Sequence, residues 1–392
     1  LGFTVGYGSF WRFPYLVYEN GGGVFLIPYV LALVVFGVPL LYLETAIGQM
    51  HQQTIPCIYE KINKGLKMFG YFVIFIAFNI SIYYNLLLTY SYRFILTAFV
   101  DPLPFMNEQP TDNTYFNEVF SAIEFDRLVW VDQWLLAGIF ILSLYICYQA
   151  IKRGIKTSGK ILIFTVILPY VFFVMLAIRG LFLSGSELGI KYMFEPDWSK
   201  LWKPKIWLDA LVQVFYQLSI ASAGVINYSS KKPKNESFMS ILYIVPLGLI
   251  ICGLLSGLII FMYVGHFCFE KGVAINSLRF EELISIQYHP ESYWDSTLAK
   301  LLAAHFLCGA CPSRYRHDVW VPLDVADSLQ QEYKDRDMVL LGVEIPHHRI
   351  KPLSIFVIGL AFPLLCSSAG IYYLQFLDKF VVDIGLPFGV LL

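Results

Sequence analysis

Charged residues are scarce in this sequence: Asp, Glu, Lys and Arg make up 15% of the 392 residues, whereas soluble proteins contain about 25%. Hydrophobic residues reach 57% and aromatic residues 17%, which is more than a soluble core needs. The formal net charge is −1, so there is no basic excess to favour nucleic acid as a partner. The composition excludes an ordinary soluble domain and predicts a protein embedded in a lipid bilayer.

Cysteine is also sparse, and the seven cysteines are an odd number that mostly lie in or beside apolar stretches. No disulfide framework is therefore predicted. The chain opens at Leu1 inside an apolar, glycine-rich segment, without the basic stretch and cleavage site of a signal peptide. We interpret this start as internal to a longer protein.

Several apolar stretches could cross a bilayer, which takes about 20 residues in a helix. They are 24–47, 70–99, 133–151, 159–183, 206–228, 238–266 and 352–376. Since Lys and Arg accumulate in cytoplasmic loops, the basic residues in 61–67, 152–160 and 231–234 predict three cytoplasmic loops. The acidic segment 101–132 is typical of an extracellular loop, and 184–205 lies on the same side if the spans alternate.

Two segments are poor material for a continuous helix. The first, Leu1 to Tyr18, contains Gly2, Gly6 and Gly8 and is predicted to unwind. The second, 218–224, lies inside the stretch 206–228 and consists largely of small residues. Interruptions at corresponding places of two halves indicate a substrate site in transporters built from inverted repeats. The alternative is that small residues simply allow close helix packing, and these patterns leave both interpretations open.

More specific are the motifs GSFWRFPY at 8–15, ENGGG at 19–23 and FLIPY at 25–29. Together they closely resemble the signature of the neurotransmitter:sodium symporter family, which includes the bacterial leucine transporter. The likeness continues at Gly37-Val38-Pro39, Glu44, Gly48-Gln49, Tyr83-Tyr84-Asn85, PDWSKL at 196–201, Ala369-Gly370-Ile371-Tyr372 and Leu377-Asp378. It covers most of residues 1–298 and 350–392.

The resemblance implies an all-α membrane protein with the inverted-repeat (5+5) transporter fold and broken first and sixth helices. In this register the chain is truncated at both ends, beginning inside the first helix and stopping inside the tenth. Residues 1–183 would form the first repeat, with helices 1 to 5, and 184–205 an extracellular loop. Residues 206–392 would form the second repeat, with an anomalous segment 299–349 in place of the eighth helix.

The resemblance also implies a substrate pocket between the two broken helices. The residues that would line it are Val5, Gly6, Tyr7, Gly8, Tyr84, Ser219 and Ser222, with Tyr216 as an aromatic lid. Tyr84 would donate its hydroxyl to a substrate carboxylate. Monoamine carriers of the family have Asp where this chain has Gly6, which favours a substrate with its own carboxylate. Arg12 and Asp378 would pair as the extracellular gate, although Arg12 could instead extend towards water.

Ion binding is where the sequence departs from the family pattern. The first sodium site would use Ser9 and Gln217, but Leu249 replaces its third side-chain ligand and has no oxygen to offer. The residues implied for the second sodium site are Gly2, Thr4, Val5 and Ser313. A chloride site would keep Tyr29 and Gln213 but lose two serines, now Gln217 and Gly253, which argues against chloride dependence.

Segment 299–349 carries too many charges to contain an apolar run of about 20 residues. Family-like sequence resumes at 328–333, so we interpret 304–326 as a corrupted reading frame or a mispredicted exon. The alternative is a zinc site, because the spacing of His305, Cys308, Cys311 and His317 is compatible with zinc ligation.

The sequence thus predicts a secondary active transporter in the plasma membrane that couples sodium to symport of an amino acid or related small solute by alternating access. One alternative is a family member that no longer transports, acting as a sensor or binding protein, or a pseudogene product. A membrane enzyme is the other, but paired acids, a nucleophile elbow and a phosphate-binding glycine loop are all missing from the sequence. The oligomeric state is not predicted.

Overall fold

The computed structural model describes residues 8–97, 134–153, 171, 173–278, 325–333, 338–340, 343–361, 366–367 and 370–391. The first half contains α1 (Phe13–Glu19), preceded by a π-helical turn at Gly8–Arg12, then α2 (Gly22–His51), α3 (Ile55–Ile62), α4 (Lys67–Thr97), α5 (Trp134–Arg153), α6 (Phe173–Leu181), α7 (Ser186–Phe194) and α8 (Trp198–Leu201). The second half contains α9 (Pro204–Leu218), α10 (Gly224–Ser229), α11 (Met239–Lys271), α12 (325–332), β1 (Met338–Leu340), β2 (Val343–Ile345), α13 (Ile350–Gly359), α14 (Gly370–Leu377), a π-helix at Asp378–Gly385 and α15 (Leu386–Leu391).

Three helices of the described residues are long and apolar enough to cross a membrane: Gly22–His51, Lys64–Tyr90 and Met239–Glu270. They match the predicted spans 24–47, 70–99 and 238–266. The outward side chains of α2 are apolar, with Val34 59% and Val35 55% exposed, as expected for a helix that faces lipid. Segments 101–132 and 154–160 lie outside the described residues.

Two expectations about the helices need correction, and two other segments gain detail. The stretch 352–376 is not one continuous helix, because α13 ends at Gly359 and residues 360–361 form a turn. Residues 8–19 of the first segment, which was predicted to unwind, are helical, and residues 1–7 lie outside the described residues. The segment 184–205 contains the short helices α7 and α8, and its extracellular position stays a prediction. Apart from the helices, the described residues contain one short antiparallel hairpin, formed by β1 and β2.

Local sequence explains where α8 and α9 begin and where α11 ends. Pro204 occupies the first turn of α9, where its missing N–H is not needed. The Asp197 carboxylate accepts hydrogen bonds from the Ser199 backbone N–H at 3.1 Å and from its hydroxyl at 2.7 Å. These bonds cap α8 and lower the pKa of Asp197. Gly272 ends α11 with a left-handed φ of 66°.

Close packing of α7 against α11 depends on two glycines. A Cβ on Gly189 would lie 1.6 Å from the Phe261 carbonyl oxygen, and a Cβ on Gly265 would lie 2.4 Å from the Gly189 nitrogen. Small residues let helix backbones approach in membranes, where van der Waals packing holds helices together. The segment after the predicted span 159–183 is therefore fixed to the span 238–266.

One end of the bundle is tied together by contacts among predicted cytoplasmic segments. The Gln49 amide, near the end of α2, donates to the Glu236 carbonyl at 2.7 Å. Lys67 pairs with Glu332 at 2.6 Å, which joins the start of α4 to the end of α12. The basic segments 61–67 and 231–234 thus lie at the same end of the molecule, as the predicted topology requires.

Candidate functional site

The helix containing Tyr216 is broken at the centre of the bundle. α9 ends at Leu218 and α10 begins at Gly224. Between them Ser219, Ala221 and Ala223 have left-handed φ angles of 54°, 57° and 67°, which residues with a Cβ rarely adopt. The predicted interruption in 206–228 is confirmed. Its backbone N–H and C=O groups are released from regular helix hydrogen bonding, in a buried setting where such groups need other partners.

Glu44 supplies one of those partners. Its Oε1 accepts a hydrogen bond from the Ala221 backbone N–H at 2.8 Å, so α2 holds the broken segment from the side. Among the described residues, no donor reaches the buried Oε2 atom of Glu44. From the sequence, Glu44 was noted only as part of the family motifs. An acidic residue inside an otherwise apolar span was the signal that could have identified it.

Three tyrosines form an aromatic cluster beside the break. The Tyr83 hydroxyl donates to the Tyr216 hydroxyl at 3.0 Å, and the rings of Tyr84 and Tyr216 have centroids 6.2 Å apart. Gly8 lies directly against this cluster, since an added Cβ would be 2.9 Å from Tyr216 Cδ1. The structure therefore brings Gly8, Tyr84 and Tyr216 together with the break. The contribution of Tyr83 was not anticipated.

The two predicted serines also lie at the break. Ser219 and Ser222 are 7% and 6% exposed, and the Ser222 hydroxyl donates to the Ser219 carbonyl at 2.7 Å. The remaining predicted pocket residues, Val5, Gly6 and Tyr7, lie outside the described residues.

Arg12 and Asp378 meet at one side of the tyrosine cluster. Arg12 Nε lies 3.6 Å from Asp378 Oδ2, and the guanidinium carbon stands 5.4 Å from the centroid of the Tyr216 ring. Arg12 Nη1 donates to Gln213 Oε1 at 3.0 Å. The Arg12 side chain is 7% exposed, so it does not extend into solvent. Asp383 is a further partner that the sequence analysis missed, hydrogen-bonded to Arg12 Nη2.

The residues predicted to hold ions are bonded to one another. The Tyr29 hydroxyl donates to Gln217 Oε1 at 2.6 Å, and Gln217 Nε2 donates to the Ser9 hydroxyl at 3.1 Å. Gln213 Nε2 donates to the Gly8 carbonyl at 2.6 Å. The oxygen that Gln217 was expected to offer to sodium thus accepts a bond from Tyr29. Leu249, at the third predicted position on α11, is fully buried and has no oxygen. This side-chain set therefore does not fit a hard cation, which needs several free oxygen ligands.

Other predicted ligands cannot be placed. Gly2, Thr4, Val5 and Ser313 of the second sodium site, and His305, Cys308, Cys311 and His317 of the alternative zinc site, lie outside the described residues. Within the described ranges no group of three or more His, Cys, Asp or Glu side chains could hold a metal ion.

A bundle of apolar helices, with a broken helix at its centre and an ion pair over the break, defines the class of membrane transporters with discontinuous helices. Residues 1–124 and 108–392 match the model of the sodium:neurotransmitter symporter family, and the chain belongs to this family. The family resemblance seen in the motifs is confirmed.

Individual relatives agree with this assignment. The chain is 36% identical over 252 residues to the human protein named inactive sodium-dependent neutral amino acid transporter B(0)AT3, over 60% of this chain and 40% of that protein. It is 36% identical over 248 residues to mouse sodium-dependent neutral amino acid transporter B(0)AT1, over 59% of this chain and 39% of that protein. The chain thus spans about 40% of the length of these curated relatives.

A solved structure shows the fold. The crystal structure of MhsT in complex with L-phenylalanine matches with a TM-score of 0.76 and 20% sequence identity, over 99% of this chain and 85% of that chain. The predicted inverted-repeat transporter fold, that of the bacterial leucine transporter, is therefore confirmed. The division into repeats at 1–183 and 206–392 stays a prediction.

Proposed function

We propose that the full-length protein is a sodium-coupled symporter that carries an amino acid or a related small solute by alternating access. The observation that carries this proposal is the break at 219–223, where three left-handed residues release backbone groups beside a buried tyrosine cluster. In transporters of this architecture, such groups bind substrate and ions at the middle of the membrane. Membership of the family supports the same function.

The substrate binds between the segment that precedes Arg12 and the break. Gly8, Ser219 and Ser222 contribute backbone and hydroxyl groups, and the Tyr84 hydroxyl donates to the substrate carboxylate. Val5, Gly6 and Tyr7 complete the pocket in this proposal. Gly6 leaves the negative charge to the substrate itself, and the relatives named as neutral amino acid transporters favour a neutral amino acid.

Closure from outside uses the ion pair over the tyrosines. Arg12 approaches Asp378 and lies over Tyr216, so separating them opens a path to the break. Sodium is the coupled ion, bound through Gly2, Thr4, Val5 and Ser313 rather than through Ser9 and Gln217, whose polar atoms bond each other. The protein is multi-pass and resides in the plasma membrane, and no covalent chemistry is required of it.

The first test is uptake of labelled amino acids by cells expressing the full-length protein, with sodium present or replaced by choline. We expect sodium-dependent uptake of one or more neutral amino acids. Tyr84→Phe removes the hydroxyl proposed to bind the carboxylate and should raise KM about tenfold to a hundredfold, as expected for a hydrogen bond to a charged group. Tyr42→Phe is the control, because the Tyr42 side chain is 47% exposed on α2. Surface expression without uptake of any substrate would contradict the proposal.

A second function, binding without transport, is favoured by the bonding of Gln217. Its amide joins Tyr29 to Ser9 and leaves the first ion site without free side-chain oxygens from these residues. One relative is itself named as inactive. Thermal stabilisation of the purified protein by an amino acid, without accumulation of that amino acid in vesicles that have an inward sodium gradient, would identify this function.

A further inference from the structure

Arg12 is shared by two carboxylates rather than paired with one. Its Nη2 atom is hydrogen-bonded to Asp383 Oδ1, whereas its Nε atom lies 3.6 Å from Asp378 Oδ2. Asp383 thus makes the closer contact, although its side chain is 44% exposed and that of Asp378 is 18% exposed. The two acids form an inner and an outer partner for a single buried guanidinium.

The local helix geometry explains why both acids face Arg12. Asp378 and Asp383 are five residues apart, which in an α-helix corresponds to about 1.4 turns and places side chains on different faces. The segment Asp378–Gly385 is instead a π-helix, where i to i+5 hydrogen bonding makes five residues little more than about one turn. The wider winding therefore brings the two carboxylates to the same face.

These acids border a cavity of about 380 Å³ at the outer end of the site. The other two carboxylates on its wall have their own partners. Lys205 pairs with Glu19 and lies 3.8 Å from Asp209, and the Asn20 amide donates to Asp209 at 3.0 Å. Asp378 and Asp383 are distinguished from Glu19 and Asp209 because they contact Arg12.

We infer that Asp383 is a positioning residue for the outer closure, holding Arg12 so that the closed state depends on both carboxylates. This inference rests on the proposed transport function. Since Asp383 is the more exposed acid, it meets Arg12 first as the segment Gly8–Arg12 approaches the π-helix Asp378–Gly385. Asp378 then completes the contact beneath it. Loss of Asp383 leaves Arg12 held by Gln213 and the longer contact to Asp378, and the outer path opens more often.

The test measures access from outside to a residue beneath the closure. In the full-length protein carrying Ser219→Cys, we would measure the rate of modification by a membrane-impermeant methanethiosulfonate reagent, normalised to surface-biotinylated protein and corrected with the same protein lacking the reporter. Asp383→Asn should raise the rate about tenfold, as expected for loss of a charge-assisted hydrogen bond. Asp383→Glu keeps a carboxylate and should stay near the parent rate.

Asp209→Asn is the matched control, because it removes one carboxylate from the same cavity without touching Arg12. Equal rates for Asp383→Asn and Asp209→Asn, whether both raised or both unchanged, would overturn the inference. If Asp383→Asn does not reach the surface, Asp383→Ser removes the carboxylate in a second way and is judged by the same comparison.

The readout is independent of transport. If the parent protein shows no uptake but Asp383→Asn raises the modification rate, the proposed function is overturned and the closure is retained. If the parent protein shows sodium-dependent uptake but Asp383→Asn leaves the modification rate unchanged, the proposed function is retained and the role of Asp383 in the closure is overturned.

Discussion

The side-chain amide of Gln217 lies between the hydroxyls of Tyr29 and Ser9, accepting from the first at 2.6 Å and donating to the second at 3.1 Å. All three residues are buried, with exposures of 5%, 1% and 2% for Gln217, Tyr29 and Ser9. The amide offers one acceptor and two donors, so it satisfies both hydroxyls at once. A third contact joins this group to α11, because the Ser256 hydroxyl donates to the Ser9 carbonyl at 2.6 Å.

The first prediction concerns chloride. Because Tyr29 already donates to Gln217, replacing chloride by gluconate should leave the initial rate of sodium-dependent uptake unchanged. The double variant Gln217→Ser, Gly253→Ser frees the Tyr29 hydroxyl and adds the two serines of the family pattern, and its uptake should become chloride-dependent. Gly253→Ser alone keeps the Gln217 amide and serves as the control. A parent protein whose uptake stops without chloride would contradict this account.

The second prediction concerns the contact between Gly8 and Tyr216. An alanine Cβ at position 8 would lie 2.9 Å from Tyr216 Cδ1, so Gly8→Ala must displace the ring that covers the break. Overpacking of this kind costs about 1–3 kcal/mol, and we expect a raised KM or loss of uptake at normal surface expression. Gly138→Ala is the matched control, since an added Cβ there meets nothing within 4 Å. Equal uptake by the two variants would show that Tyr216 tolerates the displacement.

The third prediction concerns Glu44. Glu44→Ala removes the acceptor of the Ala221 N–H, and a buried unsatisfied donor costs about 1–3 kcal/mol. We expect a lower melting temperature of the detergent-purified protein, in proportion to that loss. Glu44→Gln retains a side-chain oxygen that can accept the same bond and should melt near the parent protein. If glutamine is as damaging as alanine, the charge rather than the hydrogen bond is what matters.

The fourth prediction concerns Asp327, in the segment interpreted from sequence as partly corrupted. Its carboxylate pairs with both Lys231 and Lys351, the latter at 2.8 Å, and Asn227 Nδ2 donates to Ser328 Oγ at 3.1 Å. Asp327→Asn leaves two lysines facing a neutral side chain and should lower the melting temperature of the detergent-purified protein.

Glu60→Gln is the control for Asp327→Asn, since Lys67 retains Glu332 when Glu60 is neutral. An unchanged melting temperature for Asp327→Asn would show that residues 325–333 contribute little to the fold. The interpretation of 304–326 as a corrupted reading frame falls almost entirely outside the described residues and stays a prediction.

Much of the fold could be predicted from the sequence because the membrane imposes simple rules. A span needs a long apolar run, so the helices 22–51, 67–97 and 239–271 were visible in composition alone. The small residues at 218–224 were compatible with a break or with close helix packing, and the family resemblance implied the break. Arg12 and Asp378 were paired because a buried cation needs a partner, and the motifs indicated which one.

Other features were decided only by tertiary structure. Asp383 and Asp378 share Arg12 because a π-helix rotates them to one face, and the sequence carries no period that announces such winding. Gln217 was assigned an ion-binding oxygen from its position in the family pattern, but the amide turns to Tyr29 and Ser9 once those hydroxyls are packed around it. The sequence determined which residues are buried in the bilayer and where the chain must bend. Which polar groups satisfy each other was settled by packing, because hydrogen-bond partners 188 and 371 residues apart are chosen by geometry and not by sequence spacing.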